Sequence, residues 1–175
     1  TTAALKSQTR PPDEMIVIFD KYRQRQGWVR NKGFKQAKGD LIAFLDDDCV
    51  PGLDWLERMI SAIDQYDAAM VNSHYNETDL FLRESKRHRK FPTGTRINPV
   101  GFIGNAGNVI FRRECLEQCQ KHDGYIFNPI FKSYGGEDID LAFRLRLRGH
   151  KLVYIENNVK HMKKMNFWKY FPHQF

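Results

Sequence analysis

Two short apolar runs organise the N-terminal half of the chain. Residues 15–19 (MIVIF) and Leu41–Leu45 (LIAFL) are continuously apolar rather than alternating, the pattern of a strand covered on both faces in a parallel sheet. The first follows Pro11 and Pro12 and stops at Asp20. The second stops at Asp46, Asp47 and Asp48. Between them, residues 28–38 predict a helix ending at Gly39, a residue suited to the left-handed position after a helix. Strand, helix and strand make a βαβ unit, whose crossover is right-handed. Beyond the acidic triplet and Pro51-Gly52, Leu53, Leu56, Met59, Ile60 and Ile63 recur at helical spacing. Asp54 and Glu57 have the offset of a capping box at its start.

Further along, residues 68–71, 108–111 and 152–155 read as strands, and residues 113–121 and 137–148 as helices, the last stopped by Gly149. Residues 92–107 carry Pro92, Gly94, Pro99, Gly101, Gly104 and Gly107, which predicts a long irregular segment of the kind that tends to be functional. Strands alternating with helices give an α/β fold class. The expected layout is one domain over residues 1–162, followed by an aromatic and basic tail over residues 163–175 that packs on it.

Composition narrows this picture. A chain of 175 residues, 41% hydrophobic and 13% aromatic, is long enough to bury a core and reads as globular. No apolar run approaches the ~18 residues of a membrane span, and no signal peptide opens the chain. The expected compartment is therefore the cytoplasm, with peripheral contact at the inner face of the membrane open to so basic a chain. The net charge of +7 favours polyanionic partners such as anionic lipid, nucleic acid or a phosphate-rich substrate. No helix-turn-helix, zinc-finger or RNP pattern supports specific nucleic-acid binding. Cys49, Cys115 and Cys119 lack zinc-site spacing and read as small buried thiols.

The sharpest chemical feature is Asp46-Asp47-Asp48 directly after a buried strand. Ligands of open α/β sheets sit beyond the carboxyl ends of the strands. Three carboxylates there repel one another unless a cation holds them, and hard ions such as Mg²⁺ or Mn²⁺ suit carboxylates and phosphates alike. In an extended segment Asp46 and Asp48 point one way and Asp47 the other. A second constellation is Gly135-Gly136-Glu137-Asp138, where two acids open a helix. They can serve its dipole, or supply a base at the mouth of a cleft. His161 lies a few residues past the last strand, and a neutral imidazole there can complete a carboxylate metal site. Arg30, Lys32 and Lys35 precede the acidic strand and can meet a diphosphate. The run Lys86-Arg87-His88-Arg89-Lys90 reads as a solvated basic face.

Taken in order, these pieces resemble glycosyltransferase family 2, inverting nucleotide-sugar transferases of the GT-A fold with a Rossmann-like, mostly parallel sheet flanked by helices. The likeness rests on residues 11–18 (PPDEMIVI), 29–34 (VRNKGF), 39–48 (GDLIAFLDDD), 104–113 (GNAGNVIFRR) and 136–145 (GEDIDLAFRL), with His161 as the late histidine. The Glu-Asp segment also resembles chondroitin- and hyaluronan-type polymerase domains. The resemblance implies a hexosyl transfer from a nucleotide-sugar, typically a UDP-sugar, to a glycan or glycoconjugate hydroxyl, as in polysaccharide biosynthesis. It implies that Asp48, with His161 and Asp46, binds Mn²⁺ or Mg²⁺ on the donor diphosphate, with Asp46 or Asp47 nearer ribose and sugar. Asp20 would face the nucleobase, Arg30 the nucleotide, and Asn105 would lie in the segment closing over the donor sugar. Asp138 would deprotonate the acceptor, with Glu137 as the other candidate. Relative to the family pattern the chain lacks an opening strand before Ala3 and is short between Asp20 and Trp28, which would reduce the nucleobase pocket. An inactive nucleotide-sugar-binding homologue and a different metal-dependent phosphate enzyme are the rival readings. No pattern sets the sugar, the linkage or the oligomeric state.

Overall fold

The computed structural model describes residues 1–20, 25–74, 76–78, 92–99, 106–131 and 135–162. In chain order the elements are α1 (Thr2–Lys6), α2 (Gln26–Gln36), β1 (Leu41–Leu45), β2 (Cys49–Pro51), α3 (Trp55–Tyr66) and β3 (Met70–Asn72). They continue with β4 (Asn76–Glu77), β5 (Arg96–Ile97), β6 (Asn108–Arg112), α4 (Arg113–Asp123), α5 (Glu137–Leu147), β7 (Leu152–Tyr154) and β8 (Val159–His161). A five-stranded sheet runs β1-β6-β3-β7-β5, and a three-stranded sheet runs β2-β8-β4.

Side-chain alternation along the strands builds two cores, one on each face of the larger sheet. Met70, Val109, Phe111 and Leu152 point to one face, where they pack with Phe34 of α2, Leu116 of α4 and Leu141 and Leu145 of α5. Their neighbours Val71, Ile110 and Val153 point to the other, against Trp55, Met59, Ile60 and Ile63 of α3. Both faces of β3, β6 and β7 are covered, whereas Leu41–Leu45, expected to be covered on both faces in a parallel sheet, forms an edge strand paired antiparallel with β6 and left with Ala43 exposed. Full burial of each large α3 side chain stabilises by roughly 1.5–3 kcal/mol.

The α/β architecture with flanking helices is as expected, and the sheet is mixed. Parallel pairing joins β3 to β7 and β4 to β8. The pairs β1–β6, β3–β6 and β5–β7 are antiparallel. The expected strand at residues 15–19 does not enter a ladder among the described residues, so the predicted βαβ unit is not formed. The segment comes close to α2 at one point, with Ile18 Cγ1 3.8 Å from where a Cβ on Gly33 would stand. Its alternate residues face solvent, Val17 at 59% and Phe19 at 88% exposure. The apolar run supplied strand propensity, but a strand forms only where a neighbour offers its N–H and C=O groups. The capping box is also absent. Asp54 precedes α3 without a side-chain cap, while the Glu57 carboxylate accepts a hydrogen bond from Thr9 Oγ1 at 2.6 Å. The three cysteines are free and buried, as expected. Burial pushes the Cys115 thiol up to about 11.

Two local features position α5. Its entry bends at Gly136, where φ is +99° and a Cβ would come within 2.8 Å of Phe131 Cδ1. Its far half is tied to the end of α4 by an ionic knot. Arg144 reaches Asp123 and Asp140 at 2.8 Å each, and Arg148 reaches Asp123 at 2.7 Å. Burial raises the Asp123 carboxyl, but hydrogen bonds from Arg144 and Arg148 more than offset it, holding the group below the usual carboxylate range.

Substituting Gly136→Ala is expected to cost on the order of 1–3 kcal/mol, since an L-residue is strained at this φ whatever the space; urea unfolding reads it. Asp123→Asn is expected to cost about 1–3 kcal/mol at pH 7. Because the folded-state pKa is depressed, that difference is present above the unfolded carboxyl value near ~3.9. It shrinks as pH falls through the folded value, so unfolding curves of wild type and variant converge in acid.

Candidate active site

The site gathers where β1 ends. The Cys49 N–H donates to the Asp46 carbonyl at 3.1 Å, so the acidic triplet forms a turn rather than an extended strand. Strand alternation therefore does not govern its side chains, and the two outer carboxylates take different partners. Asp48 goes with β2, which pairs antiparallel with β8 so that Cys49 stands opposite His161. A Met162 N–H to Asp48 carbonyl bond of 2.7 Å extends that ladder. The register delivers His161, 8% exposed, with Nε2 3.2 Å from Asp48 Oδ2. Asp47 is exposed, and its carbonyl accepts from Thr1 Oγ1 at 2.5 Å.

Asp46 faces α2 instead. Arg30 Nη1 donates to Glu137 Oε1 at 2.6 Å, and Nη2 lies 3.4 Å from Asp46 Oδ1. The guanidinium sits over the Phe127 ring, 5.8 Å from its centroid. Glu137 is 2% exposed, at the first turn of α5. Close approach of α2 to this turn needs Gly27, where a Cβ would stand 3.2 Å from Phe127 Cβ and 3.5 Å from Glu137 Cβ. Asn31 fastens the other side: its Nδ2 donates to the Phe127 carbonyl at 2.8 Å and its Oδ1 accepts the Phe127 N–H at 3.0 Å. Glu137 is thus a buried counter-ion.

Asp138, next in the chain, is half-buried. Its Oδ2 accepts the Ala106 N–H at 3.3 Å and its Oδ1 the Ile139 N–H at 2.9 Å. These bonds fix the carboxylate between α5 and the start of β6. Other sequence-based candidates fall elsewhere. Lys32 and Lys35 turn away from Arg30 and line a separate cavity across α2. Asp20 follows the unladdered residues 15–19 and, among the described residues, makes no hydrogen bond or ion pair with the groups above. Asn105, the basic run at residues 86–90, the rest of the 92–107 loop beyond residues 92–99 and 106–107, and the tail from residue 163 lie outside the described residues.

Beneath the site runs a buried polar network that sequence reasoning missed. Asn108, opening β6, accepts from Trp55 Nε1 at 2.9 Å and donates to Ser73 Oγ at 2.6 Å. His74 Nδ1 and the Tyr154 hydroxyl share a hydrogen bond. Burial lowers the His74 pKa, opposed by Glu156, and pushes the Tyr154 phenol up to about 12, so both groups are neutral near pH 7. Asn at the head of an apolar strand was a signal that could have found Asn108. Nothing in the sequence pattern marks His74.

Among the described residues no set of three His, Cys, Asp or Glu side chains converges as a complete metal site. Asp48 and His161 do converge. Adjacent ligands of an octahedral ion with ~2.1 Å bonds stand about 3 Å apart, close to their separation. A carboxylate and an imidazole, with remaining positions left to phosphate oxygens and water, fit the way Mg²⁺-like ions are held beside diphosphates. Asp46, engaged by Arg30, does not join them.

The model of the family described as glycosyl transferase family 2 matches residues 1–120, a stretch that holds Arg30 and the acidic triplet and ends before Glu137, Asp138 and His161. Chondroitin synthase of Pasteurella multocida is 24% identical over 187 residues, covering 78% of this chain and 19% of that protein. The succinoglycan biosynthesis protein ExoM of Rhizobium meliloti is 28% identical over 133 residues, covering 72% of this chain and 40% of that protein. The crystal structure of S. aureus TarS 1-349 superposes with a TM-score of 0.52 at 20% identity, over 74% of this chain and 40% of that one, a likeness of fold. The chain spans less than half the length of each. A family model covering well over half the chain, and carrying the strand that ends in the acidic turn, leads to one conclusion: this chain belongs to glycosyl transferase family 2.

Proposed function

We propose that this chain is the donor-binding catalytic domain of a metal-dependent, inverting glycosyltransferase that moves a hexosyl group from a nucleoside diphosphate sugar, of UDP type, to a glycan or glycoconjugate hydroxyl. The observation that carries the reading is the meeting of Asp48 and His161 at 3.2 Å across 113 residues of chain, at the carboxyl end of β1. Family membership and the Asp138 carboxylate support it.

Asp48 and His161 would hold the divalent ion, which when bound supplies positive charge for the leaving diphosphate. Arg30 holds Asp46 and Glu137 in place at one wall of the site. Asp138 takes the proton from the acceptor hydroxyl. The acceptor oxygen then bonds to the anomeric carbon as the bond from that carbon to the diphosphate oxygen breaks on the opposite face. The configuration inverts, and nucleoside diphosphate leaves with the bonding electrons. Asp138 serves as the base in preference to Glu137 because Glu137 is buried against Arg30, whereas Asp138 is reachable. Among the described residues no helix is long and apolar enough to cross a membrane; a cytoplasmic setting with peripheral membrane contact remains part of the proposal.

Release of nucleoside diphosphate from UDP- and GDP-sugars is expected with Mn²⁺ and not with EDTA, and Asp48→Ala and His161→Ala are each expected to abolish it. Binding of donor without any release would instead identify a non-catalytic homologue, and pyrophosphate as product a different phosphate enzyme. Asp138→Asn is expected to slow transfer to an acceptor by about 10²–10⁴-fold, with donor affinity, read by calorimetry, unchanged. Arg30→Met leaves Glu137 buried without its counter-charge and is expected to cost about 3–5 kcal/mol of stability in urea unfolding.

A further inference from the structure

The two lysines that turned away from the carboxylates define a second place on the molecule. Trp28, Lys32 and Lys35 of α2 face Gln120 and Tyr125, at and beyond the end of α4, across a cavity of about 460 Å³. Trp28 is 45% exposed, and the Lys32 ammonium lies 5.4 Å from its ring centroid. Neither Lys32 nor Lys35 makes an ion pair among the described residues. Among the described residues no carboxylate lines the cavity. The nearby Asp123 is consumed by Arg144 and Arg148, and Glu117 of α4 pairs with Arg113. The cavity is therefore aromatic on its walls and positively charged.

Its walls are also held in place. The reciprocal Asn31–Phe127 bonds clamp α2 to the segment that follows α4. The Tyr125 hydroxyl accepts from Asn128 Nδ2 at 3.0 Å, and the Arg144 guanidinium packs 4.9 Å from the Tyr125 ring centroid. The Tyr125 ring, fixed before binding, loses little freedom when a ligand arrives. Phe127 connects the cavity to the carboxylate site, since its backbone bonds Asn31 and its ring lies under Arg30. The two places stand back to back across α2, whose width with side chains is about 10–12 Å.

We propose that this cavity is a binding site for an acidic glycan, a chain bearing uronate or phosphate groups, which is held here while its end reaches the carboxylate site. The apolar face of a sugar ring stacks on Trp28, and its acid group is met by Lys32 and Lys35. A neutral glycan would leave both ammonium groups without counter-charge, and the net charge of +7 draws anionic partners to the surface. The naming of the ligand as a glycan rests on the transferase reading above; the acid preference rests on the two lysines and the basic charge of the chain.

The test is direct binding to the full chain, followed by calorimetry and by the emission of the exposed Trp28. The probes are a short glucuronate-containing oligosaccharide, a phosphorylated one, a neutral one of the same length, and UDP with Mn²⁺. An acidic oligosaccharide is expected to bind and to perturb Trp28, with affinity that falls as salt rises. The Lys32→Glu/Lys35→Glu variant is expected to weaken it about tenfold or more, and Trp28→Ala to weaken both acidic probes. Trp28→Phe, which keeps a ring, restores part of the affinity and separates stacking from misfolding, with thermal unfolding as a check. Comparison of the uronate and phosphate probes tells which acid is preferred. Equal binding of the neutral glycan, displacement by UDP, no binding of any acidic probe, or unchanged affinity in the charge-reversed variant would each overturn the proposal. Nucleoside diphosphate release by the wild-type chain is followed separately. Its loss counts against the transferase reading and leaves the binding result standing.

Discussion

The Arg30 guanidinium is the point on which the site depends. It is an unusual expense: burying an arginine and a glutamate removes two charges from water, and their attraction compensates only when the geometry is good and the remaining donors are used. Here one nitrogen meets Glu137 at 2.6 Å, another approaches Asp46, and the plane rests on Phe127. Three separate pieces of chain, the helix α2, the end of β1 and the start of α5, are thereby locked to one another. Loss of the arginine would leave a carboxylate that is 2% exposed with no counter-charge. The same contact explains two glycines, because Gly27 lets α2 come close and Gly136 sets the bend from which Glu137 enters.

A second constraint works on the opposite side of the acidic turn. The small β2-β8-β4 sheet has little core of its own, and its contribution is register. With Cys49 opposite His161, the histidine arrives beside Asp48. A slip of one residue would turn His161 to the other face of the sheet, because side chains alternate along a strand. The Asp48–His161 pair is therefore as dependent on backbone pairing as on the residues themselves. Antiparallel neighbours on β6 and the polar network at Asn108 hold the floor of the site from below.

The rigid frame also divides α2 into two faces with different chemistry. Arg30 serves the carboxylates, while Trp28, Lys32 and Lys35 serve the cavity behind. Asn31 and Phe127 separate the two and join them mechanically. Basic residues that look like one cluster in the sequence are thus split by helical geometry, since positions two apart on a helix face different ways.

Much of the fold was legible in the chain. The apolar runs at β1, β3, β6 and β7 and the periodicity of α3, α4 and α5 are local patterns, and at β3, β6 and β7 burial on both faces of the sheet produces them directly. Asp48, Asp138, Glu137, Arg30 and His161 stood out by residue type and by their place relative to those elements. The sequence could not say which acids would be neighbours. Asp46 and Asp48 lie two apart in the chain yet take different partners, because the triplet turns instead of extending. Glu137 and Asp138 look equivalent, and only the packing of α2 makes one a buried counter-ion and leaves the other reachable. Residues 15–19 had the propensity of a strand, but a ladder is a property of two chains of atoms, not of one. Local pattern determined the elements and the chemically able residues. Pairing, register and burial, which depend on contacts distant in sequence, decided which of them meet.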